Sequence, residues 1–368
     1  METQKKWNTK CKFFNEKYAC DTLTNEEYKS CNECKFSYNY SKKILIISFG
    51  ALGTVVRTTP ILEGIKKKYG NDTMIYWLTK EGSKEILEGN PYIDKVLVYN
   101  LESALRLQQE RFDILFSLEI EPPVTLIANL VNADEKFGFY FDNGATSCFN
   151  RGAEEYLETA FLTHIKLENR KSYQDLIFKV CEMKFDKENP MIELGEEYIE
   201  YAKEYLRSQG LKADDKLLGI NFGSAGRWPS KAWSKTQIRE LIKKITEYKV
   251  ILLGGPEEIE KIKEMKEEFN KEGIEVYSND PNNSIKEFSG ILSKCEKLVL
   301  TDSLALHIAT ALKKPIVALF FSTPEWEIED YGRIKKIQSP LFKAYFFSNN
   351  YSEKLANSIT ADEVLKKL

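Results

Sequence analysis

The strongest constraint on how this chain folds is a pattern that occurs twice: a short apolar run, a glycine turn, then a helix-like stretch. Residues 43–49 (KILIISF) end in Gly50-Ala51-Leu52-Gly53 and lead into a helical stretch at 57–69. Residues 216–222 (KLLGINF) end in Gly223-Ser224-Ala225-Gly226. In the first half, further strands are predicted at 74–78, 94–99 and 112–118, with a short helix at 82–87. The rhythm restarts near Phe185, with a long charged helix at 196–208. Strands follow at 248–253, 274–277, 297–300 and 315–320, the last expected to close the sheet. A helix at 304–312 opens directly after Thr301-Asp302-Ser303. Strands alternating with helices imply βαβ units, parallel sheets and right-handed crossovers.

The expected fold class is therefore α/β, with two doubly wound domains facing a central cleft. At 368 residues the chain exceeds a typical domain of ~150 by enough for two domains and a remainder. The divisions read as a Cys-rich segment 1–41, a first α/β domain 42–184 and a second at 185–350. A C-terminal helix within 351–368 is expected to pack back on the first domain. Hydrophobic residues at 42% and charged residues at 30% exclude a disordered, collagen-like or coiled-coil chain. With 53 basic and 56 acidic residues the net charge is −3, so no global basic field draws nucleic acid. No apolar run approaches the ~18 residues needed to span a membrane. The start, METQKKWNTKCKFF, lacks the apolar centre of a secretory signal. A cytoplasmic location is the expectation.

Four of seven cysteines crowd the beginning as Cys11, Cys20, Cys31 and Cys34, in the spacing C-x8-C-x10-C-x2-C. A reducing compartment disfavours two structural disulfides, whereas four thiolates around one ion suit a segment with little core. A structural zinc is expected there, with iron as the alternative, since ligand type does not separate them. Cys148, Cys181 and Cys295 lie among ordinary sequence and read as small core residues.

In doubly wound folds ligands bind beyond the carboxyl ends of the strands. Two such ends in the second half carry groups suited to phosphate. The turn at 223–227 offers flexible N–H groups and Arg227, and Lys231 follows between Trp228 and Trp233. Ser303 begins a helix, where free N–H groups and the macrodipole favour an anion. No Walker lysine motif, G-x-G-x-x-G or H-E-x-x-H is present. With two histidines in all, His164 and His307, a Ser-His-Asp triad has little support. His307 read alone is a packed core histidine. Trp228 and Trp233 read as packing residues.

Several ordered blocks together resemble glycosyltransferase family 9, the ADP-heptose:lipopolysaccharide heptosyltransferases. They are residues 47–53 (ISFGALG) with Arg57-Thr58-Thr59-Pro60, residues 223–233, residues 253–258 (LGGPEE) and residues 301–309 (TDSLALHIA). Each block is weak alone; in order they are specific. A Cys-rich preface also resembles one carried by some members. The resemblance implies a GT-B fold, two Rossmann-like domains with the donor held mainly by the second. It implies an inverting, metal-independent transfer from a nucleoside diphosphate sugar, ADP-heptose first, to a hydroxyl of a lipopolysaccharide or other surface glycan precursor. A protein is the alternative acceptor, and a peripheral contact with the inner membrane surface is part of the expectation. By matching position, Lys231 pairs with donor phosphate and Asp302 holds the donor sugar hydroxyls. Ser303, Leu304 and His307 surround the diphosphate, and Glu258 lies near the nucleotide ribose. Ser224, Gly226 and Gly255 complete the expected donor site. Arg57, Arg170 and Lys171 are candidates for holding an acidic acceptor. The turn at 331–333 either closes the donor pocket or is a plain surface turn.

One departure from the family pattern matters for chemistry. The family has an aspartate after the second glycine of the first block, as general base; here that position is Thr54. A threonine hydroxyl does not take up a proton at neutral pH. Glu119 and Glu121, at the end of the fourth predicted strand, are the nearest substitutes. The alternatives are an acceptor needing little assistance, or a chain that binds nucleotide sugar with weak or no turnover.

Overall fold

The computed structural model describes residues 7–14, 20, 28–223, 226 and 228–368. The first half is built of β1 (Lys43–Ile47), α1 (Leu52–Thr58), α2 (Pro60–Tyr69), β2 (Met74–Thr79), α3 (Glu81–Leu87), β3 (Lys95–Val98), α4 (Leu101–Gln109) and β4 (Arg111–Ser117). It continues through α5 (Pro122–Leu130), β5 (Asn132–Asp142), β6 (Ala145–Cys148), α6 (Arg151–Phe161), α7 (Thr163–Glu168) and α8 (Tyr173–Val180). The second half holds α9 (Glu196–Ser208), β7 (Leu217–Asn221), α10 (Lys235–Lys244), β8 (Lys249–Leu253), α11 (Ile259–Lys271) and β9 (Val276–Ser278). There follow α12 (Ile285–Lys294), β10 (Lys297–Thr301), α13 (Leu304–Ala311), β11 (Ile316–Phe320), β12 (Ile334–Gln338), α14 (Glu353–Ala356) and α15 (Ala361–Leu365).

The first sheet runs β3-β2-β1-β4-β5-β6 and the second β12-β11-β10-β7-β8-β9. Counted from each half's first strand, both are the doubly wound order 3-2-1-4-5-6. Every neighbouring pair is parallel except the β5–β6 hairpin. The central strands read as near-continuous apolar runs because helices cover both faces: β2 and β7 are buried along their whole length.

Two differences from the sequence expectation concern edges. β11 does not close its sheet; β12 (IKKIQ) pairs beyond it. Its two lysines hide the strand pattern and suit an edge that must not recruit another chain. The C-terminal segment packs on the second half, not the first. Leu355, Ile359, Ala361 and Val364 are buried with Trp233, Ile238 and Leu241 of α10's surroundings. Trp233 seals this contact by donating its indole N–H to the Ile359 carbonyl at 2.9 Å.

The stretch predicted as one helix at 57–69 is two. Pro60 has no N–H to continue α1, so the helix ends and a new one starts with proline at its first position. The Thr59 hydroxyl donates to the Val56 carbonyl at 2.7 Å, satisfying the acceptor that proline leaves orphaned.

The halves are joined by direct bonds. Both carboxylate oxygens of Glu85 on α3 accept N–H groups at the start of α12, from Ile285 at 3.1 Å and Lys286 at 2.9 Å. An anion there is favoured by the unsatisfied donors and dipole of the helix start. Met191 N–H donates to the Thr59 hydroxyl at 2.8 Å, tying the connecting segment to α2.

Candidate active site

The carboxyl ends of the two sheets bring α1 of the first half against α13 of the second. The contact depends on Gly53: a Cβ there would stand 2.4 Å from Cδ2 of His307. Only a hydrogen lets the two helices meet. Between Gly53 and Pro60, Thr54 and Arg57 alone stay partly exposed. They are three residues apart on one helix and so share a face.

In the second half, the switch point between β7 and β10 gathers the expected donor residues. Lys231 Nζ lies 2.6 Å from Asp302 Oδ2, and the Thr323 hydroxyl donates to the same oxygen at 2.7 Å. His307 Nε2 is 3.9 Å from Asp302 Oδ1. Burial would raise the Asp302 carboxyl, but Lys231 and the Thr323 bond hold it far below the usual carboxylate range. His307, only 9% exposed, is driven the other way. Burial, with the charges of Arg57 and Lys231, lowers it to about 3 despite Asp302. It is therefore a neutral imidazole at physiological pH. Lys231 also sits 4.9 Å from the Trp228 ring centroid.

The start of α13 is open. The Ser303 hydroxyl donates to Asn221 Oδ1 at 3.0 Å rather than capping the helix. Leu304 packs its side chain against the core, leaving its backbone at the helix tip. Glu258 is buried, and its Oε2 accepts the Gly255 N–H at 2.9 Å. Gly223 and Gly254 both lie against the Glu258 side chain, and Gly226 against Glu257. Expected donor residue Ser224, and Arg227 of the same turn, lie outside the described residues.

The first half's switch point, between β1 and β4, is filled by the chain itself. Glu119, 6% exposed, accepts the Ser48 hydroxyl at 2.6 Å, Phe49 N–H at 2.8 Å and Gly50 N–H at 2.7 Å. Burial pushes its carboxyl up, and these donors pull it partly back. Glu119 is close to Thr54: a Cβ on Gly50 would touch both side chains. Glu121 is exposed at the start of α5.

The expected acceptor residues separate. Arg57 stacks on Tyr173, with Cζ 3.9 Å from the ring centroid, and its buried Nε has no hydrogen-bond partner. Arg170 crosses to the second half, 4.1 Å from the Trp326 ring, and donates to the Leu167 and Asn169 carbonyls. Lys171 is held in an ion pair with Glu155, which also takes Lys179. Tyr331 and Arg333 fasten the connecting segment, through Glu188 O at 3.1 Å and Asn189 Oδ1 at 2.6 Å.

The four-cysteine site is not assembled as expected. Among the described residues no group of three or more His, Cys, Asp or Glu side chains is placed to hold a metal ion. Cys11 is instead buried, bridged to Asn39, and its sulfur accepts the Tyr38 N–H at 3.4 Å. Cys20, Cys31 and Cys34 are partly exposed, and none of the seven cysteines forms a disulfide. The present arrangement does not fit a four-thiolate ion. Cys181 and Cys295 are buried core residues as read from the sequence. No helix of the described residues is long and apolar enough to cross a membrane.

A family model described as glycosyltransferase family 9 (heptosyltransferase) matches residues 104–345. The chain belongs to glycosyltransferase family 9. It is 25% identical over 321 residues to lipopolysaccharide heptosyltransferase 1 of Campylobacter coli, spanning 80% of this chain and 88% of that one. Among solved structures, the family 9 glycosyl transferase of Veillonella parvula superposes with a TM-score of 0.67 at 21% identity, covering 89% of this chain and 96% of its own. ADP-heptose lps heptosyltransferase II of E. coli gives a TM-score of 0.62 at 17% identity, with 88% and 97% covered. The two-sheet architecture is thus the GT-B arrangement of this glycosyltransferase family. Family membership supports a glycosyltransferase enzyme.

Sequence reasoning did not single out Glu327. Glu327, in the 3-10 turn Glu325–Glu327 after β11, lies within the electrostatic reach of Arg57, Asp302, Lys231 and Lys166. Its segment, Pro324-Glu325-Trp326-Glu327, carries no motif. Glu325, Glu329 and Asp330 around it make it look like solvated surface.

Proposed function

We propose that this enzyme transfers a heptose from ADP-heptose, with inversion, to a hydroxyl of a lipopolysaccharide or lipooligosaccharide precursor. The observation that carries this reading is the Lys231–Asp302–Thr323 cluster beside the open start of α13. A departing diphosphate gains negative charge, and an ammonium plus oriented N–H groups is what stabilises it. Lys231 leaves Asp302 for the phosphate when the donor arrives, and Asp302 turns its freed oxygen to the sugar hydroxyls. Neutral His307 offers a hydrogen bond without charge. Glu258, among the glycines of the 223 and 254 turns, takes the ribose. The names of the similar proteins support the sugar and the acceptor class.

The test is a thermal-shift panel of nucleoside diphosphate sugars on the full chain, followed by ADP release with a heptose-deficient lipopolysaccharide. A donor held at ~100 times its Kd adds about 2.7 kcal/mol of stability. ADP-heptose is expected to give the largest shift. An equal or larger shift with UDP sugars, and none with ADP-heptose, would reject this reading.

A further inference from the structure

The cations expected to meet substrate differ in how far the protein itself engages them. Lys231 is paired with Asp302 and Lys171 with Glu155, and Arg170 donates to the Leu167 and Asn169 carbonyls. Arg57 is the exception. Among the described residues its guanidinium makes no hydrogen bond and no ion pair, although the side chain is half-buried and its Nε fully so. Arginine is not deprotonated in proteins, so the charge is always present. Taking such a group out of water without a partner costs free energy, which a bound anion offsets.

The group is nevertheless held in place. Arg57 Cζ stacks 3.9 Å from the centroid of the Tyr173 ring. That ring is itself fixed: Tyr173 is buried, its hydroxyl lies 2.8 Å from the Thr58 hydroxyl, and Ser172 caps the start of α8. Gln174 donates to the Arg57 carbonyl at 3.2 Å, tying α1 to α8. A guanidinium on an aromatic face keeps its N–H groups along its edge, in the plane where a phosphate or carboxylate takes two at once. Its place on α1 is at the helix contact. Gly53, four residues earlier, meets His307, and Thr54, three residues earlier, is the other partly exposed position of this turn. The Arg57 charge is also, after burial, a cause of the lowered His307. A carboxylate at position 54 would stand one turn from Arg57 and neutralise it; Thr54 leaves that charge for a ligand.

We propose that Arg57 is a preset oxyanion receptor of the cleft, taking a phosphate or carboxylate group of a substrate edge-on from the Tyr173 platform, beside Thr54. The inference rests on the transfer reading above for what the substrates are. Two sources supply such a group: the diphosphate of the donor, with Lys231 on its second-half side, and an acidic substituent of the glycan acceptor. The chemistry is the same for both, two parallel N–H bonds to one oxyanion. It sets Arg57 apart from Arg170 and Lys171, whose donors the protein already engages.

The experiment is calorimetry on the full chain with three probes: ADP, inorganic pyrophosphate and de-acylated heptose-deficient lipopolysaccharide. Arg57→Lys keeps the charge and loses the planar fork; Arg57→Gln loses both. Each is expected to weaken at least one probe ~10–100-fold, Gln more than Lys. A loss for ADP and pyrophosphate assigns the receptor to the donor, a loss for the oligosaccharide assigns it to the acceptor, and a loss for all three places it between them. Thr54→Asp is expected to weaken the same probe more than Thr54→Asn does. Unchanged affinity for all three probes in both Arg57 variants overturns the proposal, even where their melting temperatures fall, since that pattern belongs to a purely structural arginine. If Arg57→Gln does not fold, Arg57→Lys carries the test, and unchanged affinity is again the overturning result. Every readout is binding, so a wild-type chain that binds these probes yet releases no ADP from ADP-heptose rejects the transfer reading alone. A wild-type chain that binds none of them overturns both.

Discussion

The two halves share one strand order, yet their switch points are chemically opposite. In the first, the turn after β1 is occupied by Glu119, a carboxylate delivered from the end of β4. In the second, the end of β10 presents a lysine–aspartate pair beside an uncapped helix start. The same topology therefore yields one turn already satisfied by an internal anion and one ready for an external anion. A diphosphate at the first would meet Glu119 at close range in a buried setting, where like charges repel strongly. This contrast is what supports the proposed placement of the donor diphosphate in the second half.

The comparison breaks most decisively at the charges. Lys231→Ala is expected to weaken ADP binding by ~100-fold, since a charge-assisted phosphate contact is lost and Asp302 is left unpaired. Glu119→Gln should leave ADP affinity within about twofold, as measured by calorimetry. Equal losses in both variants would mean that the nucleotide lies between the two turns. Glu119→Gln should instead cost about 1–3 kcal/mol in urea unfolding, because three donors lose their ionised acceptor. Gly53→Ala comes next: a methyl driven into His307 is expected to cost about 1–3 kcal/mol and to separate α1 from α13. Gly82→Ala is its control, since a Cβ at Gly82 meets nothing within 4 Å.

The second switch point also carries a pH dependence. His307 is lowered in the fold from its ordinary 6.5 to about 3. The unfolded chain therefore binds the extra proton, and this part of the stability is full above pH 6.5. It is lost as pH falls towards 3, with a slope of up to about 1.4 kcal/mol per pH unit. Asp302, held below its usual range, adds a loss of the same sign at still lower pH. His307→Gln should flatten the fall in melting temperature between pH 7 and pH 5, and an unchanged slope would assign the effect elsewhere.

How far the sequence could be read depended on whether local pattern carried the information. The central strands were legible because burial on both faces forces unbroken apolar runs such as LLGIN and KLVLT. β5 was not, because its first half, NADEK, is mostly exposed and charged, and β12 carries two lysines. Lys231 and Asp302 were legible from the ordered blocks around them. Glu119 was picked out by its strand end, but not its role: Ser48 and Glu119 are 71 residues apart, and only strand pairing brings them together. The four early cysteines are the reverse case: their spacing suggested a metal, and among the described residues they are not gathered into a group that could hold one.

By itself the sequence determined the alternation of strand and helix, and with it two parallel sheets with glycine turns at the carboxyl ends of their first strands. These follow from hydrophobic period and from the turn residues, which are local properties. The tertiary structure alone decided that Glu119 fills the first glycine turn, that Lys231 pairs with Asp302 beside the start of α13, and where the C-terminal segment docks. Those outcomes depend on which distant charges are brought together as water is removed, and neither proximity nor desolvation is written in any short stretch of chain.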